Sequence, residues 1–199
     1  MNLSIFSYID QHSDITDITF RDRKRLGPMD LASHHIMRGK SNISFALRET
    51  MAAYVSGLNA CSFCLGSHEA VAKEFKVSPE LIQALLDDLE TAPIPKKEKP
   101  LFQYLKKLTL EASKIHEGDA QAVYDAGWTE DDLHQVILIG CLFNFYNRLL
   151  DGHGVKGSQG IFKMAGTQLS QKGYKVPWFI GMIKNTIFRM KRKQLDSEI

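Results

Sequence analysis

The stretch ETMAAYVSGLNACSFCLGSH, residues 49–68, gathers a carboxylate, two thiols and an imidazole. Eleven residues separate Glu49 from Cys61, two separate Cys61 from Cys64, and three separate Cys64 from His68. At ~100° per residue, Cys61, Cys64 and His68 share one helix face as i+3 and i+4 neighbours. Gly57 is a helix terminator and Asn59 an N-cap residue, so both thiols are expected in the first turn of a new helix. Unpaired backbone N–H groups and the helix dipole favour an anion there.

A free thiol with a pKa near 8.5 is only about 3% thiolate at neutral pH. Lowering that pKa by two units takes about 2.7 kcal/mol. A helix N-terminus supplies roughly 0.3–1 kcal/mol of it. His68, one turn after Cys64, is placed to help, as a base or as an imidazolium, directly or through a water. Glu49, on the preceding helix, can orient the histidine or move the proton onwards. Two thiols so spaced support two-step peroxide reduction. One thiolate attacks the O–O bond and becomes a sulfenic acid; its neighbour then condenses with it to a disulfide. Cys64, one turn from His68, is expected to attack. Cys61 is expected to resolve the intermediate and to be open to an external dithiol.

The pattern Glu49, Cys61, Cys64, His68, followed by HEAVA (68–72), resembles the AhpD-like alkylhydroperoxidase family of the carboxymuconolactone decarboxylase superfamily. AGWTEDDLHQVILIGCLFNFYNRLLDGHGV (126–155) is similar to that family's peroxidase-related branch, in which NR followed by D is usual. The resemblance spans roughly residues 30–155. It implies an all-α fold, a homo-oligomer (trimer or hexamer), and a dithiol peroxidase that needs no cofactor. Its implied partners are a hydroperoxide substrate and a thiol reductant, thioredoxin-like or a lipoyl dithiol. Phe63 departs from the pattern: the best-characterised enzymes carry a histidine there, as part of a proton relay. Phe63 cannot relay protons, which bears on the branch from Glu49 to Cys61 and keeps a second reading open, a disulfide-exchange or redox-sensing module with little peroxide turnover. The decarboxylase branch lacks the CxxC and ranks lower.

A zinc-stabilised helical adaptor is the metal reading of the same residues, with Cys61, Cys64 and His68 as ligands and His34 or His35 as a fourth. A closed site usually shows a second paired motif, which is missing. Cys141, in an apolar segment, reads as a small buried hydrophobe. Asn147, Arg148 and Asp151 read as a buried polar cluster that fixes a helix end and subunit contacts. His153 could line the site entrance. His12, His34, His35, His116 and His134 are given no functional role.

The elements that must position these groups are helical. Helical spacing is visible over 41–57, about 60–75, 79–86, 101–108, about 119–126, 130–150, 161–172 and 178–193, with a shorter helix from Pro28 to His35. TAPIPKKEKP (91–100) is the clearest loop, and DGHGVKGSQG (151–160) breaks the most apolar helix. No stretch alternates at strand period, so about seven to nine helices in a single domain are expected. The division is an N-terminal arm (1–25), an AhpD-like domain (26–175) and a C-terminal amphipathic basic helix (176–199) docked on the domain or a neighbouring subunit. The 25 basic and 23 acidic residues are too balanced to argue for nucleic acid. Without a signal peptide or an apolar run of the ~20 residues a spanning helix needs, a cytoplasmic protein with no stable membrane insertion is expected. Three cysteines make no secreted disulfide framework.

Overall fold

The computed structural model describes residues 5–175, 190 and 193–197. Nine α-helices follow one another: α1 (Ile15–Thr19), α2 (Arg23–Arg38), α3 (Phe45–Leu58), α4 (Ser62–Glu74), α5 (Pro79–Asp87), α6 (Lys99–Leu110), α7 (Glu117–Asp125), α8 (Glu130–His153) and α9 (Gln159–Lys172). Two 3-10 turns precede and follow α6, at Lys96–Glu98 and Ala112–Lys114. Residues 193–197 are also helical, so the helix count runs slightly above the expected range. The described residues contain no strand, and none of their helices is long and apolar enough to cross a membrane. Most of the predicted C-terminal basic helix lies outside the described residues.

Local chemistry sets most boundaries. Ser44, Ser78, Thr129 and Ser158 cap α3, α5, α8 and α9 through side-chain oxygens that accept from the first turn. Gly154, in the left-handed region at φ 76°, ends α8. Two expectations need correction. The helix predicted over Pro28–His35 is α2, sixteen residues from Arg23 to Arg38, with Asp22 as its cap and Pro28 inside it. Proline marks a preferred first turn, but a helix tolerates it further in at the loss of one backbone bond. Asn59 does not cap the motif helix: it closes α3, and the N-cap of α4 is Cys61. Between them Ala60 takes φ 55°, a left-handed conformation that L-residues adopt at some energetic cost.

The main core lies between α3, α6 and α8, around Met51, Tyr54, Phe102, Leu105, Val136, Ile139 and Phe143. A second apolar cluster of Cys61, Phe63, Cys64, Leu150, Val155, Ile161, Ile9 and Ile18 sits beneath the motif. It joins the α4 N-terminus to the end of α8, the start of α9 and the N-terminal segment.

Cys141 lies on the outer face of α8 and is exposed, against expectation. The core-facing stripe of α8 is Val136, Ile139, Leu142 and Phe143, which leaves Cys141 and the 40%-exposed Phe145 on the opposite side. An apolar helix is not necessarily buried all round.

Candidate active site

α3 and α4 pack along each other, and their short connection sets Glu49 across from His68. Glu49 is fully buried. Its Oε2 lies 2.8 Å from His68 Nδ1. Two further groups, neither expected from sequence, reach the same carboxylate. Arg38 on α2 places Nη2 2.7 Å from Oε1. Tyr174, just past α9, donates its hydroxyl to Oε1 at 2.8 Å and to Oε2 at 3.0 Å. The Tyr174 ring stacks on His68 at 6.3 Å with a 16° interplanar angle. The Arg38 guanidinium lies over the rings of Phe45, Phe75 and Tyr174.

Burial pushes the Glu49 carboxyl up, but the His68 hydrogen bond, the His68 and Arg38 charges and the Tyr174 hydroxyl together hold it below the usual carboxylate value. An ionised Glu49 accepts from His68 Nδ1–H, so Nε2 is the imidazole nitrogen available to exchange a proton elsewhere. The same carboxylate and burial keep the Tyr174 hydroxyl protonated, well above its ordinary range.

The two thiols are free and buried. The two neighbouring thiols act on each other and are moved in opposite directions. Cys61 is lowered by the Cys64 thiol, against the effect of burial, and the Cys64 backbone N–H helps. Cys64 is raised well above the ordinary thiol value by the Cys61 thiol, by burial and by the Cys61 charge; Asn147 alone pulls it down, and Asp151 adds to the rise. Negative charge is favoured on Cys61 over Cys64. Cys61 holds the cap position of α4 without a side-chain cap hydrogen bond.

Access separates the thiols differently. A cavity of about 170 Å³ is walled by α1, α2, α4, α8 and α9, and Cys64 lines it together with His68 and Ser67. Cys61, with no exposed surface, is not part of the wall. Apolar side chains, among them Phe63, Phe143, Leu150, Ile161 and Met164, make up much of the rest. Phe63, one residue before Cys64, is one of these apolar walls and meets Phe162 edge to face at 6.5 Å. Tyr146, also in the wall, is pushed up to about 12 by burial and bonds Ser33 at 2.9 Å.

Residues 29–97 match the family model described as the carboxymuconolactone decarboxylase family. That segment contains Glu49, Cys61, Cys64 and His68, and is shorter than the span of the resemblance read from sequence. An uncharacterized peroxidase-related protein from Silicibacter sp. TM1040 superposes with a TM-score of 0.69 at 22% identity, over 74% of this chain and 78% of that one. A second crystal structure, described as an alkylhydroperoxidase AhpD core and an uncharacterized peroxidase-related protein from Ralstonia eutropha JMP134, superposes with a TM-score of 0.67 at 19% identity, over 75% of this chain and 78% of that one. No curated protein sequence matches the chain. The chain has an AhpD-like helical fold, and its residues 29–97 are similar to the carboxymuconolactone decarboxylase family.

Within this AhpD-like fold the remaining sequence candidates fall into place. Asn147 is fully buried but Arg148 is exposed and Asp151 half-buried, so the three do not form one buried cluster. Asn147 instead accepts from Asn59 Nδ2 at 2.8 Å and donates to Ser56 Oγ at 3.1 Å. His153 stacks on Phe6 at 4.9 Å and bonds the Leu149 carbonyl, away from the cavity wall. His34 packs edge to face with His35. Among the described residues no three His, Cys, Asp or Glu side chains gather as metal ligands, so the zinc reading has no site there. Arg38, Tyr174 and the Asn147 contact escaped sequence reading. No local spacing links them to the motif, and Tyr174 stands 125 residues from Glu49.

Proposed function

We propose that this AhpD-like protein is a dithiol peroxidase that reduces alkyl hydroperoxides or hydrogen peroxide. The observation that carries the reading is a reactive-residue type, Cys64, at the wall of an apolar cavity, backed by a second thiol and accompanied by an oriented histidine. The proton on Cys64 passes to Cys61 or His68. The Cys64 thiolate attacks the terminal oxygen of ROOH, forming S–O as O–O breaks. The peroxide is reduced to ROH, with His68 Nε2 protonating the departing alkoxide, and Cys64 is oxidised to a sulfenic acid. The Cys61 sulfur then attacks Cys64 sulfur, an S–S bond forms, and hydroxide leaves with a proton as water. An external dithiol, thioredoxin-like or lipoyl, reduces the disulfide by attack on Cys64, which lines the cavity, and Cys61 leaves; Cys61 is fully buried and, against expectation, not itself open to the dithiol. Glu49, held by Arg38 and Tyr174, orients His68 rather than carrying protons onward.

The assembly in this reading is a homo-oligomer in the cytoplasm, which sedimentation of the purified protein tests. Stopped-flow oxidation of the reduced protein by hydrogen peroxide and by a bulky organic hydroperoxide tests the chemistry. Cys64→Ser is expected to abolish the fast phase, and Cys61→Ser to stop at a sulfenic acid. A dithiol no faster than free cysteine with either oxidant would assign the motif to disulfide exchange or sensing, the reading that Phe63 keeps open.

A further inference from the structure

Three buried side-chain polar atoms among the described residues have no hydrogen-bond partner in the protein: His34 Nδ1, Arg38 Nε and Ser67 Oγ. Of these residues only Ser67, 4% exposed, lines the cavity. A serine or threonine inside a helix commonly returns its hydroxyl to the carbonyl one turn back. Ser33 does so to Met29, Thr50 to Ala46 and Ser56 to Ala52, at 2.6, 2.9 and 2.7 Å. Ser67 does not, and its hydroxyl stands unmet in the wall that Cys64 and His68 share. Cys64, Ser67 and His68 are i, i+3 and i+4 neighbours on α4, so sulfur, hydroxyl and imidazole lie on one face. A buried polar group without a partner opposes folding. In a cavity wall it suits a ligand that brings the partner.

The rest of the cavity describes that ligand. Its volume of about 170 Å³ is comparable to that of an apolar cavity of about 150 Å³ that holds benzene. Phe63, Phe143, Leu150, Ile161 and Met164 offer the body of the ligand apolar contact. The carboxylates in the lining are Asp14 and Asp30, and no lysine or arginine among the described residues joins them. An anionic tail would therefore meet like charge and no cation, which disfavours it. We propose that Ser67 is a substrate-binding residue, whose hydroxyl hydrogen-bonds the carbon-bound peroxide oxygen of a neutral, compact organic hydroperoxide whose apolar body fills the cavity. The inference rests on the peroxidase reading and names its substrate class. The terminal oxygen faces the Cys64 sulfur that attacks it, which leaves the carbon-bound oxygen to the hydroxyl one turn along α4. That oxygen is kept in the product alcohol, so the hydrogen bond survives O–O cleavage and is in place as negative charge develops. Hydrogen peroxide has no body and gains nothing from the apolar walls.

The first arm of the test needs no turnover. Reduced wild-type and Ser67→Ala proteins are titrated by NMR with cumyl alcohol, which carries the carbon-bound oxygen, and with cumene, which lacks it. Ser67→Ala is expected to weaken cumyl alcohol about tenfold and not to weaken cumene. Undiminished cumene binding also shows that the cavity survives the substitution. Equal weakening of both ligands, an unweakened alcohol, or no binding of either by the wild type would overturn the role of Ser67. The second arm is stopped-flow oxidation of the reduced wild-type protein by cumene hydroperoxide, linoleic acid hydroperoxide and hydrogen peroxide. Cumene hydroperoxide is expected to react at least about tenfold faster than either of the others. Linoleic acid hydroperoxide reacting as fast would overturn the neutral, compact class. Together the arms separate the two claims. Alcohol held through Ser67 in a protein that no hydroperoxide oxidises overturns the peroxidase reading, and the substrate assignment with it. Hydroperoxide turnover alongside an unweakened alcohol in Ser67→Ala leaves that reading standing and removes the Ser67 hydrogen bond.

Discussion

At the scale of single residues the site is governed by which groups face the two sulfurs and the one carboxylate. Glu49 has no water contact and three protein partners, and its charge is compensated by Arg38. Removing one partner of a buried charge costs far more than removing one at the surface. Arg38→Met is expected to destabilise the fold by about 3–5 kcal/mol, read as a fall in the chemical denaturation midpoint. Tyr174→Phe removes only the hydroxyl, with an expected loss of about 1.5–3 kcal/mol, characteristic of hydrogen bonds to charged groups. If Tyr174 acts on the chemistry through Glu49, its effect on Cys64 oxidation should vanish in a Glu49→Gln background, which a double-mutant cycle reads directly.

At the scale of elements, the placement of α4 depends on its packing against α9. The Phe162 ring on α9 lies where neither Gly66 nor Gly157 has a side chain. A Cβ at Gly66 would come 2.6 Å from that ring, and one at Gly157 equally close. Phe162 in turn packs on Phe63, next to Cys64. Gly66→Ala would raise intrinsic helix propensity by about 1 kcal/mol, yet the overlap with the ring is expected to outweigh it. A net destabilisation of about 1–2 kcal/mol follows from overpacking, with a Tm drop of several degrees in a scanning calorimeter. An unchanged or higher Tm would mean that the ring moves freely. The strained turn Asn59-Ala60-Cys61 belongs to this scale too: it brings Cys61 to the cap position and sends the Asn59 side chain to α8.

For the whole molecule, the acid response follows from Glu49. Its carboxyl is held below the ordinary value in the folded state, so its contribution to stability is present above the unfolded value. That contribution is lost as pH falls through the lower folded value. Denaturation of the wild-type protein across the acid range is expected to show stability falling below about pH 4.5, with a flatter slope in Glu49→Gln. An identical slope in both proteins would locate the acid sensitivity in other carboxylates. The division between the described domain and its apolar exposed residues, Leu31, Leu110 and Phe145 among them, belongs to the same scale; the proposed homo-oligomer would have reason to cover some of them.

The all-α class, most helix positions and the grouping of Glu49, Cys61, Cys64 and His68 were legible in the sequence, because they rest on short-range rules. Apolar residues at helical spacing, serine and threonine caps, and i+3 and i+4 neighbours act over a turn or two of chain. The same rules placed Cys141 in a helix but could not say which side of it faced the core. Tertiary structure decided what no local rule contains: that Arg38 and Tyr174 converge on Glu49, that Asn147 bonds Asn59 and Ser56, and that charge is favoured on Cys61 over Cys64 while Cys64 faces the cavity. These depend on which helices pack together and on how deeply each group is buried. Desolvation and hydrogen bonding set charge in a protein interior, and both are properties of neighbours brought from distant parts of the chain.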